Sequence, residues 1–526
     1  MISSLRSWLI ALLATAAGSA AAETKLPSIF SDHMVLQRGQ ENRVWGWDKP
    51  GTEVTVTFAG ATSKAKADAN GRWEARLPAM KESAESRTLS VQGSSKKDLT
   101  DVLVGEVWVC SGQSNMGFTV SSCWDADLEI ATANYPNLRL ISVPNVGSQK
   151  PLDDFTGAWE RCSPKSVGSF SAVGYFFGLT IQKMINVPVG LIDNAWGGSS
   201  AEAWVRRDLL EKDPRFATLM ADWKNREATF DMEAAKAAHA KAMADWKKQA
   251  DAAKAANQFA PKPPRAPQDI LKGQHRPGNL YGGCLHPILG YGIRGVVWYQ
   301  GESNSGRAYE YRTLFPLMIQ HWRDEWKQGD FPFYWVQLAD YLNETPEPGD
   351  SAWAELREAQ TLSQKALPHT GQAVIIDLGE ASDIHPKNKR DVGERLARWA
   401  LAKDYGMKTM PYHSPELKDA QFANGRATVT LTDVGTGLRT VDANEVQGFA
   451  ICGKDRKWHN AQARLLPGQP IHQVQVWSPD VKEPVAVRYA WANNPVCNLY
   501  TTEGLPVTPF RSDDFPMVTQ PATATK

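Results

Sequence analysis

The spacing of apolar residues divides the chain into three zones. Between residues 26 and about 103, short runs alternate apolar and polar positions, and turn signals such as Asn70-Gly71 separate them. From about 104, apolar strand candidates alternate with helical stretches. From about 408 to 510, short β runs return. The pattern predicts an α/β domain flanked by N- and C-terminal β-sandwich-type domains.

The central zone predicts a parallel sheet with helices on both faces. Its strand candidates are residues 106–110, 138–143, 187–194, 293–299, 331–338 and 373–378. Its helix candidates are residues 172–185, 309–327, 353–366 and 389–403. Ligands of such sheets bind beyond the carboxyl ends of the strands, so we expect the chemistry directly after each strand.

Two segments depart from this alternation. Residues 208–268 are rich in Ala, Lys, Asp and Glu and become proline-rich near their end, which predicts a helical insertion in the α/β domain. Residues 1–22 carry an apolar run after Arg6 and an Ala-x-Ala pattern ending at Ala22, which predicts a signal peptide. We therefore expect an exported protein, periplasmic or secreted. The predicted domains are residues 23–103, 104–405 and 406–515, followed by a disordered tail at 516–526.

Composition narrows the class of protein. Lys+Arg and Asp+Glu both number 58, and this zero net charge argues against a nucleic-acid binder and against a polybasic membrane-surface protein. The six cysteines allow fifteen complete sets of disulfide pairs. The one bond that we favour is Cys452–Cys497, because both residues lie in the C-terminal β region. Zinc-type Cys/His spacing, a P-loop and a dinucleotide glycine motif are absent, so we expect no metal and no other cofactor.

Three segments place polar residues directly after predicted buried strands. Gly112-Gln113-Ser114-Asn115-Met116 forms a glycine-containing turn, in which a serine hydroxyl can lie beside free backbone N–H groups. Trp298-Tyr299-Gln300-Gly301-Glu302-Ser303-Asn304 ends the fourth strand, and Asp383-Ile384-His385-Pro386 follows the sixth. Each segment has a simpler structural explanation, such as Ser114 acting as a helix N-cap. Their joint occurrence favours a nucleophile and a general base.

With the turn Asn194-Ala195-Trp196-Gly197-Gly198-Ser199, these motifs resemble the SGNH-hydrolase superfamily, and specifically the sialate O-acetylesterase-like carbohydrate esterases. The resemblance extends to residues 30–37 and 488–491, and it covers nearly the whole chain after residue 22 except the helical insertion. It implies a flavodoxin-like parallel sheet and an esterase that removes O-acetyl groups from carbohydrate through an acetyl-enzyme intermediate.

The resemblance also implies a role for each motif. Ser114 would be the nucleophile and His385 the general base. The oxyanion hole would combine the Ser114 N–H, an N–H of Gly197 or Gly198, and the Gln300 side chain. Weaker candidates for substrate contact are Gln113, Asn115, Glu302 and Asn304, and Asn304 is also a weaker oxyanion candidate.

The acid that orients His385 departs from the superfamily pattern. The usual position, three residues before the histidine, holds Ser382, and Asp383 stands two residues before it. We expect Asp383 to be the orienting acid, while Asp377, Glu380 or a backbone carbonyl remain alternatives.

The sugar and two other functions stay open. Proteins similar to this one act on acetylated sialic acid or on plant polysaccharides such as xylan or xyloglucan. The cations that could meet a sialic acid carboxylate are Arg206, Arg207, Arg307 and His275. The alternatives are a non-catalytic carbohydrate-binding protein on a hydrolase scaffold, which the intact motifs argue against, and a short-chain lipid esterase. The sequence predicts no oligomeric state.

Overall fold

The N-terminal region is a β structure whose last strand continues into the central sheet. The computed structural model describes residues 23–521, so the predicted signal peptide lies outside the described residues. The strands are β1 (Val35–Gln37), β2 (Asn42–Trp47), β3 (Glu53–Phe58), β4 (Ala61–Lys66), β5 (Arg72–Leu77), β6 (Ser83–Gln92) and β7 (Lys96–Gly112). The predicted boundary after residue 103 therefore falls inside β7, which pairs first with β6 and β1.

The central region alternates strands with helices. Its further strands are β8 (Tyr135–Ser142), β9 (Glu160–Cys162), β10 (Val189–Ala195), β11 (Gly295–Tyr299), β12 (Phe333–Val336) and β13 (Thr370–Ala373). Its helices are α1 (Ala126–Thr132), α2 (Ala172–Ile185), α3 (Arg207–Lys212), α4 (Ala217–Thr229), α5 (Met232–Ala255), α6 (Ala308–Trp326), α7 (Ala352–Ala366) and α8 (Lys389–Lys403). The strand order is β13-β12-β11-β7-β10-β8-β9, and every pair except β8–β9 is parallel.

Helices cover both faces of this sheet, which confirms the predicted fold class. Val107 and Val109 of β7 lie in one core together with residues of α6 and α7. Trp108 and Cys110 of the same strand lie in a second core with residues of α2 and α8. Both faces of β7 are apolar because neither face contacts water.

The sixth predicted strand is displaced. β13 ends at Ala373, where the predicted strand 373–378 begins. Val374 and Ile376 are buried in the core of the C-terminal region, whereas Ile375 is buried with α2 and α8. The apolar run therefore reflects burial against two cores and not pairing in the sheet.

The predicted helical insertion consists of α3, α4 and α5. Helix α4 buries Leu219, Met220 and Trp223, while no residue of α5 is buried. Because α5 buries none of its residues, it contributes little to the core. None of the helices within residues 23–521 is long and apolar enough to cross a membrane.

The C-terminal region is a β sandwich. Its strands are β14 (Glu416–Ala423), β15 (Arg426–Thr432), β16 (Leu438–Thr440), β17 (Phe449–Cys452), β18 (Trp458–Asn460), β19 (Gln462–Leu465), β20 (Gln473–Trp477), β21 (Ala486–Tyr489), β22 (Leu499–Thr501) and β23 (Phe510–Arg511). Two antiparallel sheets, β14-β15-β20-β19 and β18-β17-β21-β23, bury their inner residues in one core that includes Val429 and Val487.

Two expectations about this region need correction. All six cysteines are unpaired, so the favoured Cys452–Cys497 disulfide is wrong. Cys452 is instead buried and Cys497 half-buried, and desolvation raises the pKa of Cys452 to about 11 and that of Cys497 to about 12, as expected of small packing residues. The start of the predicted disordered tail is also held in place, because Glu355 of α7 accepts the backbone N–H groups of Val518 and Thr519.

Candidate active site

Four loops meet at the carboxyl edge of the central sheet. Ser114 lies two residues after β7, and Gly197 and Gly198 follow β10. Gln300 directly follows β11, and His385 lies in the loop between β13 and α8. Because β10, β7 and β11 are adjacent and parallel, their carboxyl ends bring these distant residues to one place.

The serine and the histidine are in hydrogen-bond contact. His385 Nε2 lies 2.8 Å from Ser114 Oγ, a distance at which a neutral imidazole can accept the hydroxyl proton. Burial lowers the pKa of His385, and the nearby Lys389 cation lowers it further, while the Asp383 carboxylate opposes the shift. The histidine is therefore neutral, and able to accept a proton, at neutral pH.

Asp383 is the carboxylate beside His385. Its Oδ1 accepts the backbone N–H of His385 at 2.9 Å and lies 3.5 Å from the imidazole Nδ1. The Asp383 side chain is 44% exposed. The two other acids considered are bonded elsewhere, since Asp377 pairs with an arginine of α8 at 2.6 Å and Glu380 accepts a loop N–H at 2.9 Å.

Backbone N–H groups without partners among the described residues occur at Ser114 and in the glycine turn that packs against it. The N–H groups of Ser114, Gly197 and Gly198 make no hydrogen bond with any residue between 23 and 521. A Cβ atom at Gly197 would lie only 3.5 Å from the Ser114 Cβ, so this turn packs against the serine. Gly112 has a φ of +141°, and a Cβ there would lie 2.2 Å from the Tyr299 carbonyl oxygen, so this turn requires glycine.

The Gln300 side chain is buried and bonded within the protein. Its Nε2 donates to the Ser199 carbonyl at 3.1 Å and to Asn304 Oδ1 at 2.6 Å, and its Oε1 accepts the Tyr311 hydroxyl at 3.0 Å. Asn304 in turn donates to Glu202 at 2.9 Å. Both amides therefore support the glycine turn, and neither makes a hydrogen bond with Ser114 Oγ.

The other predicted substrate contacts also have protein partners. Gln113 Oε1 accepts the N–H groups of Gly301 and Ser303 at 3.4 Å each, while its Nε2 makes no hydrogen bond with the described residues. Asn115 Nδ2 donates to Glu302 Oε1 at 2.6 Å. Burial raises the pKa of the Glu302 carboxyl.

Two further residues, neither predicted from the sequence, contact the groups around the serine and the histidine. Lys389, the first residue of α8, donates from Nζ to Asn115 Oδ1 at 2.6 Å. The Phe118 ring stacks on the His385 ring, with centroids 6.2 Å apart and planes 20° apart. Neither had a sequence signal, because a lysine at a helix start and a phenylalanine in a loop are ordinary, and 274 residues separate Lys389 from Asn115.

The cations considered for a substrate carboxylate have partners in the protein. These partners are Asp208 for Arg206, Glu227 for Arg207, Glu202 for Arg307 and Ser200 for His275. Between residues 23 and 521, no group of three or more His, Cys, Asp or Glu side chains is arranged to hold a metal ion.

Known proteins share this sequence and fold. A family model described as "Carbohydrate esterase, sialic acid-specific acetylesterase" matches residues 275–402. The sialate O-acetylesterases of Mus musculus and Homo sapiens are each 28% identical, over 95% and 92% of this chain and 96% and 92% of their own. A solved carbohydrate acetylesterase from Xanthomonas citri is 37% identical with a TM-score of 0.78, and the match covers 94% of this chain and 100% of that one.

The chain belongs to the sialate O-acetylesterase-like carbohydrate esterases. This membership confirms the family that the four motifs predict. It makes the chain a hydrolase of the carbohydrate O-acetylesterase class, with the contact between Ser114 and His385 at the carboxyl edge of its sheet.

Proposed function

We propose that this carbohydrate esterase is exported and removes O-acetyl groups from sialic acid or from a plant polysaccharide through an acetyl-enzyme intermediate. The observation that carries the proposal is the 2.8 Å contact between His385 Nε2 and Ser114 Oγ. A serine bonded to a neutral histidine, with unpaired N–H groups beside it, is suited to acyl transfer.

The first half of the reaction forms the acetyl-enzyme. Ser114 Oγ attacks the acetyl carbonyl carbon, and His385 Nε2 takes the hydroxyl proton. The N–H groups of Ser114 and of Gly197 or Gly198 stabilise the oxyanion. The bond from the acetyl carbon to the sugar oxygen then breaks, and His385 returns the proton to that oxygen.

The second half releases acetate. A water molecule gives a proton to His385 and attacks the acetyl group on Ser114. When the tetrahedral intermediate collapses, the acetyl–serine bond breaks and His385 returns the proton to Ser114 Oγ. In both halves Asp383 stabilises the imidazolium that forms.

The side-chain contacts with substrate divide into two groups. Gln113 is the predicted contact that we retain, because its Nε2 has no partner among the described residues. The Gln300 amide remains a candidate oxyanion donor, and this role requires one amide hydrogen to turn from the Ser199 carbonyl toward the substrate. Asn115, Glu302 and Asn304 act in our proposal through their protein partners.

Two observations bear on the sugar. The matched family model is named for a sialic acid-specific acetylesterase, which favours a sugar that carries a carboxylate. The arginines considered for that carboxylate are paired with acids, which favours a neutral polysaccharide. Lys387, exposed and two residues after His385, is a further cation that we expect a charged sugar to contact.

The test is acetate release from four substrates: 9-O-acetylated sialic acid, acetylated xylan, acetylated xyloglucan and p-nitrophenyl acetate. We expect one natural glycan to be hydrolysed and Ser114→Ala to lower kcat by about 10⁴–10⁶-fold. Ser121→Ala, an exposed serine in the same loop, is the matched control. Mass spectrometry after a rapid quench should find one acetyl group on Ser114.

Other outcomes separate the alternatives. Full activity in Ser114→Ala would remove the serine from the mechanism. Binding of a glycan without acetate release would support the carbohydrate-binding alternative, and equal rates on p-nitrophenyl acetate and butyrate would support a lipid esterase. For export, we expect the mature protein outside the cytoplasm to begin at Glu23, which N-terminal sequencing would check.

A further inference from the structure

Three polar groups form a hydrogen-bonded cluster that reaches the residues next to Ser114 and His385. Asn115 is 2% exposed and Lys389 is 0% exposed. The third is the carboxylate of Glu302, whose Oε2 atom is buried. They come from three separate segments, the turn after β7, the loop after β11 and the first turn of α8. The Asn115 amide joins them, since it accepts from Lys389 Nζ and donates to Glu302 Oε1, both at 2.6 Å.

The same amide reaches the histidine loop. Asn115 Nδ2 also donates to the carbonyl oxygen of Ile384 at 2.9 Å, and Ile384 immediately precedes His385. This bond ties the turn that carries Ser114 to the loop that carries His385. An amide can make all three contacts only in one orientation of its oxygen and nitrogen, because the Lys389 ammonium only donates and the Ile384 carbonyl only accepts.

Lys389 also supports the ring that covers the histidine. Its Nζ lies 4.9 Å from the centroid of Phe118 and 5.3 Å from that of Tyr299, both within cation–π range. Phe118 is the residue that stacks on the His385 ring. Lys389 therefore contacts Asn115, the residue after Ser114, through a hydrogen bond. It also contacts Phe118, the ring stacked on His385, through a cation–π interaction.

Burying a lysine lowers the stability of the folded protein, because its charge loses contact with water. Burial lowers the pKa of Lys389 to about 7, against the carboxylate charges of Glu302, Asp383 and Glu380, which raise it. An apolar side chain of similar size would avoid this cost of desolvation. The lysine also acts at a distance, because its positive charge lowers the pKa of His385 while Asp383 raises it.

We propose that Lys389 is a positioning residue of the esterase. Its ammonium orients the Asn115 amide, and that amide holds the Ile384 carbonyl so that His385 stays in contact with Ser114. The inference rests on the proposed roles of Ser114 and His385, and it adds a buried residue that touches neither the substrate nor the reacting atoms.

The experiment compares Lys389→Met, which removes both the hydrogen bond and the charge, with Lys389→Gln, which keeps a donor of similar length and removes the charge. The substrate is p-nitrophenyl acetate, which needs no sugar contact. We expect Lys389→Met to lower kcat by about 10²-fold with KM changed by less than about twofold, the size expected for a misplaced catalytic group. We expect Lys389→Gln to recover most of that loss.

The pH dependence of kcat/KM distinguishes a positioning residue from a merely structural one, because loss of a structural contact would not shift the pKa of His385. The base must be neutral, so kcat/KM falls as the pH drops through the pKa of His385. Removing the Lys389 cation removes one influence that lowers this pKa, so the acid limb should move to higher pH in both variants. Lys403→Met, an exposed lysine at the other end of α8, is the control and should leave both kcat and the limb unchanged.

Two results would overturn the proposal. The first is a folded Lys389→Met protein with kcat within twofold of the parent and an unmoved acid limb. The second is a Lys389→Gln protein whose kcat/KM falls at the same acidic pH as that of the parent. This result decides the matter if Lys389→Met does not fold. A parent protein that lacks esterase activity would defeat the proposed function instead. In that event a histidine NMR titration of Lys389→Gln still tests whether the pKa of His385 rises.

Discussion

The histidine loop has an exposed side and a buried side, and the two hold His385 differently. On the exposed side, Asp383 is 44% exposed and lies 3.5 Å from Nδ1. On the buried side, Asn115 is 2% exposed and holds the Ile384 carbonyl at 2.9 Å, with Lys389 behind it. Water and salt screen an exposed charge, whereas a broken buried hydrogen bond leaves an unsatisfied group. In our proposal the buried side therefore sets the position of the loop, and the exposed acid tunes the pKa of His385.

The Gln300 variant should give the largest effect among the tests of this contrast, because Gln300 is a buried residue that donates to the carbonyl of Ser199 in the glycine turn. Removing a donor of an oxyanion hole costs about 10²–10³-fold in kcat. We expect a loss of this size in Gln300→Ala, with weak activity remaining, measured on p-nitrophenyl acetate.

The control for Gln300 is Gln360→Ala, a buried glutamine that donates to the Gln300 carbonyl at 3.1 Å. It tests whether any loss of buried bonding nearby has the same effect. A Gln300→Ala protein with kcat within twofold of the parent would remove Gln300 from the reaction.

The loss of kcat in Asp383→Asn should be the intermediate effect. A large loss would contradict the contrast between the exposed and the buried side of the histidine loop. We expect Asp383→Asn to keep kcat within about tenfold of the parent, because the carboxylate is exposed and 3.5 Å from Nδ1. Its charge raises the pKa of His385, so its removal should move the acid limb of kcat/KM to lower pH, opposite to the Lys389 variants.

A pH profile of kcat/KM checks this expectation, with Glu380→Gln in the same loop as the control. A loss of about 10⁴-fold, as in serine hydrolases that depend on a buried triad acid, would make Asp383 the main orienting group and reverse the contrast.

The Trp124→Ala variant should give the smallest effect, a change in KM, and it tests only the exposed side of the histidine loop. It is 57% exposed, and its backbone N–H donates at 3.1 Å to the carbonyl of Lys387, two residues after His385. An indole can stack on a sugar ring at about 0.5–1.5 kcal/mol, so Trp124→Ala should raise KM on the glycan substrate by about two- to tenfold.

The same variant should leave hydrolysis of p-nitrophenyl acetate unchanged, since that substrate has no sugar. Phe259→Ala, an exposed aromatic residue of the insertion, is the control. An equal change on both substrates would place the effect in the catalytic groups and not in sugar contact.

Much of the fold and part of the site followed from local pattern. The predicted helices 172–185 and 389–403 coincide with α2 and α8, because their apolar periodicity and their polar starts are properties of the segments themselves. The displaced sixth strand shows the limit. The run from Ala373 to Leu378 is apolar enough for a strand, but the sequence does not show that Val374 and Ile375 pack against different cores.

The residue pattern alone was enough to predict the family, the alternation of strands and helices in the central region, and the segments that carry Ser114, Gln300 and His385. These depend on residue type and on spacing within short stretches. The three-dimensional packing was needed to show that the cysteines stay unpaired, that the Gln300 amide bonds to Ser199, and that Lys389 bonds to Asn115 beside Ser114. Such contacts join residues far apart in the chain, and which polar atom meets which depends on how the whole sheet and its helices pack.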